Sequence, residues 1–354
     1  MKDSLGNNAS FTNITGITNI ANITNITNIT NNTNITNNTN ITLQGLSVTE
    51  PIETGNFYLT IVLTTVFITL SVFTLFGNCL ILWAIKKFKS LHKVTYYLLG
   101  NLAVTDILLA FGILTKSIFR LADKLDKYPC YISLFINQLS SISSLSGTLL
   151  ICIHSFVAVK FPLYFRNGFT LRLAISLIAL TWTSWIAFSL IGVLFFYDEP
   201  ASESSENCHI TSGHYPFNYA LTDLILRQIQ LVLVVFFQAS TIVHIERDKR
   251  FLRAQAPRGE PSTAAALAKL NKMSGMVGMV SMVMVLILIA GVPTTIVAML
   301  KLLCTNCGIT GDHVQWVSVF VLPNMVGNIL IYFLKSGEFK KVLPLCRSNQ
   351  IHPQ

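Results

Sequence analysis

Charged residues are scarce in this chain of 354 residues, since Asp, Glu, Lys and Arg together make up only 12% of it. A soluble globular domain usually carries about 25% of such residues. Hydrophobic residues account for 52%, and the mean hydropathy is +0.57. The shortage of charge excludes an ordinary soluble domain and indicates that lipid is the main solvent.

Acidic residues are scarcer than basic ones, 16 against 25, which gives a formal net charge of +9. A strongly basic chain is also typical of nucleic-acid-binding proteins. Here the basic residues lie in short segments between long apolar runs, as in Lys86–Lys93. This placement argues against nucleic acid as a partner and favours the lipid bilayer.

Strict two-residue alternation of apolar side chains is also lacking, which argues against an outer-membrane barrel. Apolar stretches long enough to cross a bilayer, which takes about 20 residues, are present instead. The seven stretches are Phe57–Ile85, Val94–Phe119, Tyr131–Val159, Leu171–Phe196, Tyr219–Val243, Met273–Leu300 and His313–Leu334. The predicted fold class is therefore all-α, with a seven-transmembrane helix bundle at residues 57–334.

Lys and Arg are concentrated in every second connection between these spans and in the tail, residues 335–354. Positively charged connections of membrane proteins stay on the cytoplasmic side. We therefore predict a multi-pass plasma-membrane protein with a cytoplasmic C-terminus and an extracellular N-terminal segment, residues 1–56.

The N-terminal segment has almost no residues that could build a core, so we expect it to be disordered. It contains repeated Asn-x-Ser/Thr sequons, which accept glycans on the extracellular side. The sequons begin at Asn8, Asn13, Asn22, Asn25, Asn28, Asn31, Asn34, Asn37 and Asn40. A glycosylated stalk is the prediction, and a low-complexity repeat with partial modification is the alternative.

Four of the seven cysteines lie on the predicted extracellular side. Because that compartment is oxidising, Cys130 and Cys208 are expected to form a disulfide. Cys304 and Cys307 form a Cys-x-x-Cys sequence, which provides too few ligands for a structural metal site, so a local disulfide is expected there. Cys346 follows a basic amphipathic stretch, where palmitoylation is the prediction and a free thiol the alternative.

Polar side chains inside membrane spans are costly to bury, so each is a candidate functional residue. Asn78, Asp106 and Ser144 lie in spans one, two and three. Asn324 and Asn328 are four residues apart in span seven and therefore share one helix face. These groups would hold water, a proton or a hard cation, or form a structural hydrogen-bond network, and both roles stay open.

A second polar group lies near the extracellular ends of spans two, three and five. Its members are Lys116, Arg120, Asn137, Gln138, Asp223 and Arg227. We predict that they frame a ligand pocket in which Lys116 and Arg227 favour an anionic ligand. The alternative is structural, with an i, i+4 ion pair between Asp223 and Arg227 and with Lys116 extending to the lipid headgroups.

Enzymatic activity is not expected, because no connection between the spans is long enough for a catalytic domain. His154 and Ser155 are adjacent, and sequence neighbours on a helix do not face each other. A nucleophile–base pair is therefore not predicted. The segment Ala256–Lys269 is interpreted as a flexible cytoplasmic loop.

Short motifs occur in a fixed order along the seven spans. They are Gly77-Asn78, NLAVTD in span two, Cys130 with Cys208, VAVKFPLYF after span three, Trp182, Pro293, and Asn328 with Tyr332. This ordered set, between about Phe57 and Cys346, resembles the rhodopsin-like (class A) G-protein-coupled receptors. Phe333–Leu343 resembles the family's short cytoplasmic amphipathic eighth helix.

The resemblance implies a cell-surface receptor that binds an extracellular ligand and signals to a heterotrimeric G protein, or to arrestin, by helix repacking. It implies a structural network that includes Asn78, Trp182, Pro293 and Tyr332. It also implies a sodium pocket, whose residues are Asp106, Ser144, Asn324 and Asn328. No other cofactor is expected.

Several family motifs are altered. The Asp-Arg-Tyr triplet that faces the G protein corresponds here to His154-Ser155-Phe156, so its arginine is missing. Met273 stands where an acidic partner of that arginine is expected, and Gly291 replaces the aromatic residue before Pro293. A receptor-like decoy or heteromer partner without G-protein coupling is therefore the alternative function. A transporter is a remote one, because no inverted repeat is visible.

A few features bear on the branch of the family to which the sequence is most similar. A span five without proline resembles the melanocortin receptors, and the cysteine pair in the last extracellular connection resembles the melanocortin and adenosine receptors. Leu322 replaces the lysine that holds retinal in opsins, and Asn137 replaces the aspartate of amine receptors. These two residues argue against a photoreceptor and against a simple amine ligand.

Overall fold

The computed structural model describes residues 53–122, 127–195, 217–255, 261–304, 316–317 and 319–335. Over these ranges the chain is almost entirely helical, as predicted. The helices are α1 (Glu53–Lys87), α2 (Val94–Leu121), α3 (Lys127–Lys160), α4 (Pro162–Gly168), α5 (Leu171–Phe195), α6 (Phe217–Gln255), α7 (Pro261–Leu303) and α8 (Leu322–Lys335). Short 3₁₀ helices occupy Lys89–Leu91 and Val319–Val321.

Six of the helices in the described ranges, α1, α2, α3, α5, α6 and α7, are long and apolar enough to cross a membrane. The seventh predicted span corresponds to a shorter apolar helix, Val319–Tyr332, which includes most of α8. The beginning of that span lies outside the described residues. The short helix α4 connects spans three and four.

Two helices extend well beyond the predicted spans. α6 continues from the apolar run to Gln255, and α7 begins at Pro261. The prediction of a flexible loop up to Lys269 is therefore wrong for its second half. Proline is favoured at the first helical position, and the following alanine-rich sequence has high helix propensity, so the helix starts before the membrane does.

The helices form a closed ring with one additional helix outside it. Around the ring, α1 packs on α2, α2 on α3, α3 on α6, α6 on α7, α7 on α8, and α8 on α1. α5 lies outside this ring against α3 and α2. The ring encloses both the apolar core and the polar residues of the candidate site.

The contact between α1 and α8 requires a glycine. A Cβ atom on Gly77 would lie 2.5 Å from Cδ1 of Ile329, so a larger residue would push the helices apart. Gly327 on α8 similarly approaches Leu286 of α7 too closely for a side chain. Glycine therefore sets how tightly α8 closes the ring.

The outer surface of the bundle is apolar. On α5, Leu180 and Leu194 are 62% and 72% exposed, and Ile296 on α7 is 52% exposed. A soluble protein does not leave such continuous apolar faces to water. These faces are therefore the surfaces that contact lipid.

Some predicted features lie outside the described residues. They are the nine sequons, Cys208, Cys307, Cys346 and the part of the predicted eighth helix after Lys335. At the N-terminal side, α1 begins at Glu53, so the predicted boundary of the bundle at residue 57 falls inside a helix.

Candidate ligand-binding site

A cavity of about 490 Å³ opens inside the ring, where α2 and α7 end and α6 begins. We call it the bundle cavity. Its walls come from α1, α2, α3, α6, α7, α8 and the preceding 3₁₀ helix. All six side chains predicted to frame a ligand pocket line it. They are Lys116, Arg120, Asn137, Gln138, Asp223 and Arg227.

Arg227 joins α6 to α3 across one wall of the bundle cavity. Its Nε donates to both carboxylate oxygens of Asp223, at 3.0 and 2.9 Å. Its Nη1 donates to Oγ of Ser141 at 2.7 Å, and its Nη2 donates to Oε1 of Gln138 at 2.9 Å. The ion pair expected as the structural alternative is thus present, and the Arg227 charge is already compensated.

Basic residues outnumber acidic ones on the cavity wall. Lys116 and Arg120 also line the cavity, and Asp223 is the only carboxylate among its described lining residues. Oδ1 of Asn137 and Nε2 of Gln138 are buried and have no hydrogen-bond partner among the described residues. The wall therefore combines an excess of basic side chains with one amide acceptor and one amide donor.

The bundle cavity reaches into the interior of the bundle. Ser144 on α3 lies seven residues beyond Asn137, which is about 10 Å along a helix axis, and it lines the same cavity. Gly291 lines the cavity from α7, and a Cβ atom built there would meet nothing within 4 Å. The replacement of an aromatic residue by glycine therefore leaves open space at this depth.

A buried carboxylate lies near the centre of the bundle. Nδ2 of Asn328 donates to Oδ2 of Asp106 at 3.0 Å, and these residues are 2% and 3% exposed. Ser144 and Asn324, the other two predicted ion-site residues, line the bundle cavity. Asp106 is thus hydrogen-bonded directly to Asn328, while Ser144 and Asn324 form part of the wall of the bundle cavity.

Several buried oxygen atoms of polar residues on α1 and α8 lack a hydrogen-bond partner in the described part of the chain. They are Oδ1 of Asn78, Oδ1 of Asn324, Oδ1 of Asn328 and the Tyr332 hydroxyl. Nδ2 of Asn78 donates one hydrogen bond to the carbonyl of Thr74 at 3.0 Å, while its oxygen accepts none from the described residues. A carboxylate with amide and hydroxyl oxygens is a donor set that fits a hard cation.

Trp182 belongs to a hydrogen-bond pair that sequence reasoning missed. Its Nε1 donates to Oδ1 of Asn101 at 2.8 Å and ties α5 to α2. Asn101 is the first residue of the NLAVTD motif. Its polar amide inside span two was the sequence feature that could have indicated a partner such as Trp182. Pro293, another predicted network residue, lies inside α7.

Gln238 was also missed. It is fully buried on α6, and its Nε2 donates to the carbonyl of Val277 at 2.9 Å and to Oγ of Ser281 at 2.7 Å. On the other side, its Oε1 accepts from the thiol of Cys152 at 3.6 Å. The signal was the third glutamine of span five, which stands alone in the apolar run after Gln230.

Comparison with known proteins identifies the family. The sequence matches the 7 transmembrane receptor (rhodopsin family) over residues 77–332. The chain belongs to this family. This receptor also resembles squid rhodopsin in fold, with a TM-score of 0.67, 17% identity and coverage of 80% of this chain and 84% of that one.

Relatives of this receptor include two Alpha-1A adrenergic receptors and a serotonin receptor. The Oryzias latipes adrenergic receptor is 33% identical over 148 residues, covering 40% of this chain and 31% of its own. The Rattus norvegicus adrenergic receptor is 27% identical, and the match covers 60% of this chain and 45% of the relative. The 5-hydroxytryptamine receptor 1A-beta of Takifugu rubripes is 26% identical, and the match covers 55% of this chain and 49% of the relative. The match spans less than half the length of each relative.

At the end of the bundle where span three ends, the residues of the altered triplet pack against other side chains. His154 is buried, with its ring centroid 5.0 Å from those of Phe165 and Phe169. Phe156 packs against Phe237 at 5.3 Å, and Ser155 is half-buried. His154 therefore anchors the connection between spans three and four, and the family's arginine has no substitute within the triplet.

A different polar contact joins two helices at this end. Lys249 on α6 is only 8% exposed. Its Nζ donates to Oε1 of Glu246 at 3.1 Å and to Oγ of Ser274 on α7 at 2.7 Å. Sequence reasoning considered only Met273, one residue before Ser274, and missed this α6–α7 contact.

Two of the predicted disulfide cysteines, Cys130 and Cys304, are disulfide-bonded. Their predicted partners, Cys208 and Cys307, lie outside the described residues, so the pairings remain predictions. Cys152 carries a free, buried thiol within the bundle.

Proposed function

We propose that this protein is a cell-surface receptor whose extracellular ligand carries a carboxylate or phosphate and binds in the bundle cavity. The observation that carries the proposal is the charge of the cavity wall. Lys116, Arg120 and Arg227 oppose one carboxylate, Asp223, which is already paired. A ligand anion would form charge-assisted hydrogen bonds with these basic side chains.

An amine ligand fits this wall poorly, although relatives are named adrenergic and 5-hydroxytryptamine receptors. An ammonium group would be repelled by the three basic side chains of the wall, while the one lining carboxylate is bound by Arg227. The residue facing the cavity where amine receptors carry aspartate is Asn137, whose side chain is neutral.

The ligand proposal is tested by screening small carboxylates, phosphates and amines for stabilisation of the purified receptor. Compounds that stabilise it are then measured on Lys116→Gln and on Lys301→Gln. Lys301 lies in the last turn of α7 and does not line the bundle cavity. Lys301→Gln is therefore a control that removes the same charge from a position outside the cavity. We expect anions to bind the Lys116 variant about tenfold more weakly, as for a lost charged hydrogen bond of about 1.5 kcal/mol. Stabilisation by amines alone, or equal binding by both variants, would contradict the proposal.

We propose further that helix repacking transmits ligand binding to a heterotrimeric G protein through the basic cytoplasmic face. The ligand would shift the population between two bundle states. The alternative, a decoy or heteromer partner that does not couple, is supported by Ser155 in place of arginine.

The two functions are separated by measuring G-protein activation in cells for the natural chain and for Ser155→Arg, with surface expression matched. Activity of the natural chain supports coupling without the usual arginine. Silence of the natural chain together with activity of Ser155→Arg supports the decoy or partner function.

Sodium is the proposed ion of the central group. Asp106 would hold it together with oxygens of Asn328, Asn324 and Ser144. A bound cation would neutralise the buried carboxylate and stabilise the bundle state in which these helices are close together.

A further inference from the structure

A second concave site lies on the membrane-facing surface, away from the bundle cavity. It is a cleft of about 390 Å³ between α1 and α2, which we call the α1–α2 cleft. Leu82, Ile85, Lys86, His92, Tyr97, Gly100 and Val104 line it. None of these residues belongs to the sites described above.

The α1–α2 cleft has a polar end and an apolar end. Lys86 and His92 are exposed and Tyr97 is half-buried at the end where α1 meets α2. Leu82, Gly100 and Val104 form the apolar remainder. Val104 lies ten residues into α2, or about 15 Å along its axis, which is about half the thickness of a bilayer core.

The charge at the polar end has one sign. The sequence Lys86–Lys93 contains four lysines and a histidine and has no Asp or Glu. Lysines placed at the surface of the cytoplasmic leaflet attract anionic lipid headgroups. Tyrosine and lysine are also the side chains expected at headgroup level.

We propose that the α1–α2 cleft binds one anionic phospholipid of the cytoplasmic leaflet. The phosphate lies against Lys86, His92 and Tyr97, and one acyl chain lies along Leu82, Gly100 and Val104. The leaflet follows from the orientation predicted by the basic loops. The site depends neither on the bundle-cavity ligand nor on G-protein coupling.

The neighbouring lysine provides a matched control. Nζ of Lys87 lies 4.5 Å from the centre of the Trp83 ring, and Lys87 does not line the cleft. Lys86→Gln and Lys87→Gln therefore change the net charge equally at adjacent positions, and only the first removes a cation from the cleft.

The test is native mass spectrometry of the full-length receptor, released from nanodiscs that contain phosphatidylcholine with either phosphatidylserine or phosphatidylinositol phosphate. We expect the natural chain and Lys87→Gln to retain one anionic lipid. Lys86→Gln should retain it about fivefold more weakly, as expected for the loss of one surface lysine. Val104→Trp, at a position that is 37% exposed, should fill the cleft and abolish retention.

Three results would overturn the proposal. Equal weakening by Lys86→Gln and Lys87→Gln would mean diffuse attraction to the basic loop. Equal retention of phosphatidylcholine would mean that the phosphate charge is not recognised. Full retention by Val104→Trp, with an unchanged thermal unfolding midpoint, would place the lipid elsewhere.

Discussion

At the residue scale, the clearest feature is the Arg227 network, whose existence was only partly predictable. The spacing of Asp223 and Arg227 on one helix face made their ion pair the structural alternative to a ligand-binding role, because residues four apart are neighbours on any helix. The contacts of Arg227 with Gln138 and Ser141 depend on how α6 is rotated against α3. That rotation is set by packing between distant segments, which spacing along one helix does not reveal.

The Arg227 network predicts a non-additive loss of stability. Asp223 is 7% exposed, so Arg227→Gln leaves a buried carboxylate without its cation and should cost about 3 kcal/mol. The double variant Asp223→Asn/Arg227→Gln should cost less, because no uncompensated charge remains. The measurement is thermal or denaturant unfolding in one detergent. Additive losses from the two single changes would show that the pair is not coupled.

The central carboxylate predicts stabilisation by sodium. A cation bound only by the folded state raises stability with its concentration. Sodium, and not potassium at equal ionic strength, should therefore raise the unfolding temperature of the natural chain. Asp106→Asn should remove the response, because the amide carries no charge. The same sodium response in both proteins would exclude Asp106 as the ion ligand.

At the scale of helices, the sequence predicted which segments are helical much better than where they end. Apolar length identifies a membrane span because hydrocarbon imposes it. Helical hydrogen bonds continue into water wherever propensity allows, so α6 extends to Gln255 and α7 begins at Pro261. Because α4 has only seven residues, it is too short to be recognised by apolar length, and it was not predicted.

The Lys249 contact predicts that α6 and α7 are held together near the C-terminal end of α6. Lys249→Met removes the hydrogen bonds to Glu246 and to Ser274. The bond to Ser274 contributes about 1.5 kcal/mol. The bond to Glu246, whose side chain is 47% exposed, adds little because water screens it. The amides in the first turns after Ser274 should then exchange with deuterium about tenfold faster.

The control for this experiment is Arg250→Gln, which also removes one positive charge, from the exposed residue next to Lys249. Its exchange should match that of the natural chain. Faster exchange in both variants would indicate a general charge effect and not a specific contact between the helices.

At the scale of the whole molecule, the order of motifs carried more information than any motif alone. The motif residues are far apart in sequence, and the packed helices, including α5 outside the ring, bring them into one framework. They include Gly77, Asp106, Trp182 and Tyr332. The family was therefore predictable from the sequence. The Asn101–Trp182 pair was not, because it required knowing which face of α5 meets α2.

The predicted topology has a direct test on intact cells. An epitope tag before Asn8 should bind antibody without permeabilisation, and a tag after Cys346 should bind only after it. Removal of N-glycans by enzyme should increase the electrophoretic mobility of the natural chain. Replacing the Asn residues of all nine sequons by Gln should abolish that shift. Staining of the C-terminal tag on intact cells would reverse the proposed orientation.

The open space beside Gly291 also permits receptor variants that distinguish compounds by their size, which is useful in chemical genetics. A Cβ atom there meets no neighbour within 4 Å, and Gly291 lines the bundle cavity, so we expect a larger side chain to extend into that cavity. A graded series from Gly291→Ala to Gly291→Trp would create alleles that accept progressively smaller compounds. A bulky synthetic compound would then act on the natural allele and spare the engineered ones within the same tissue.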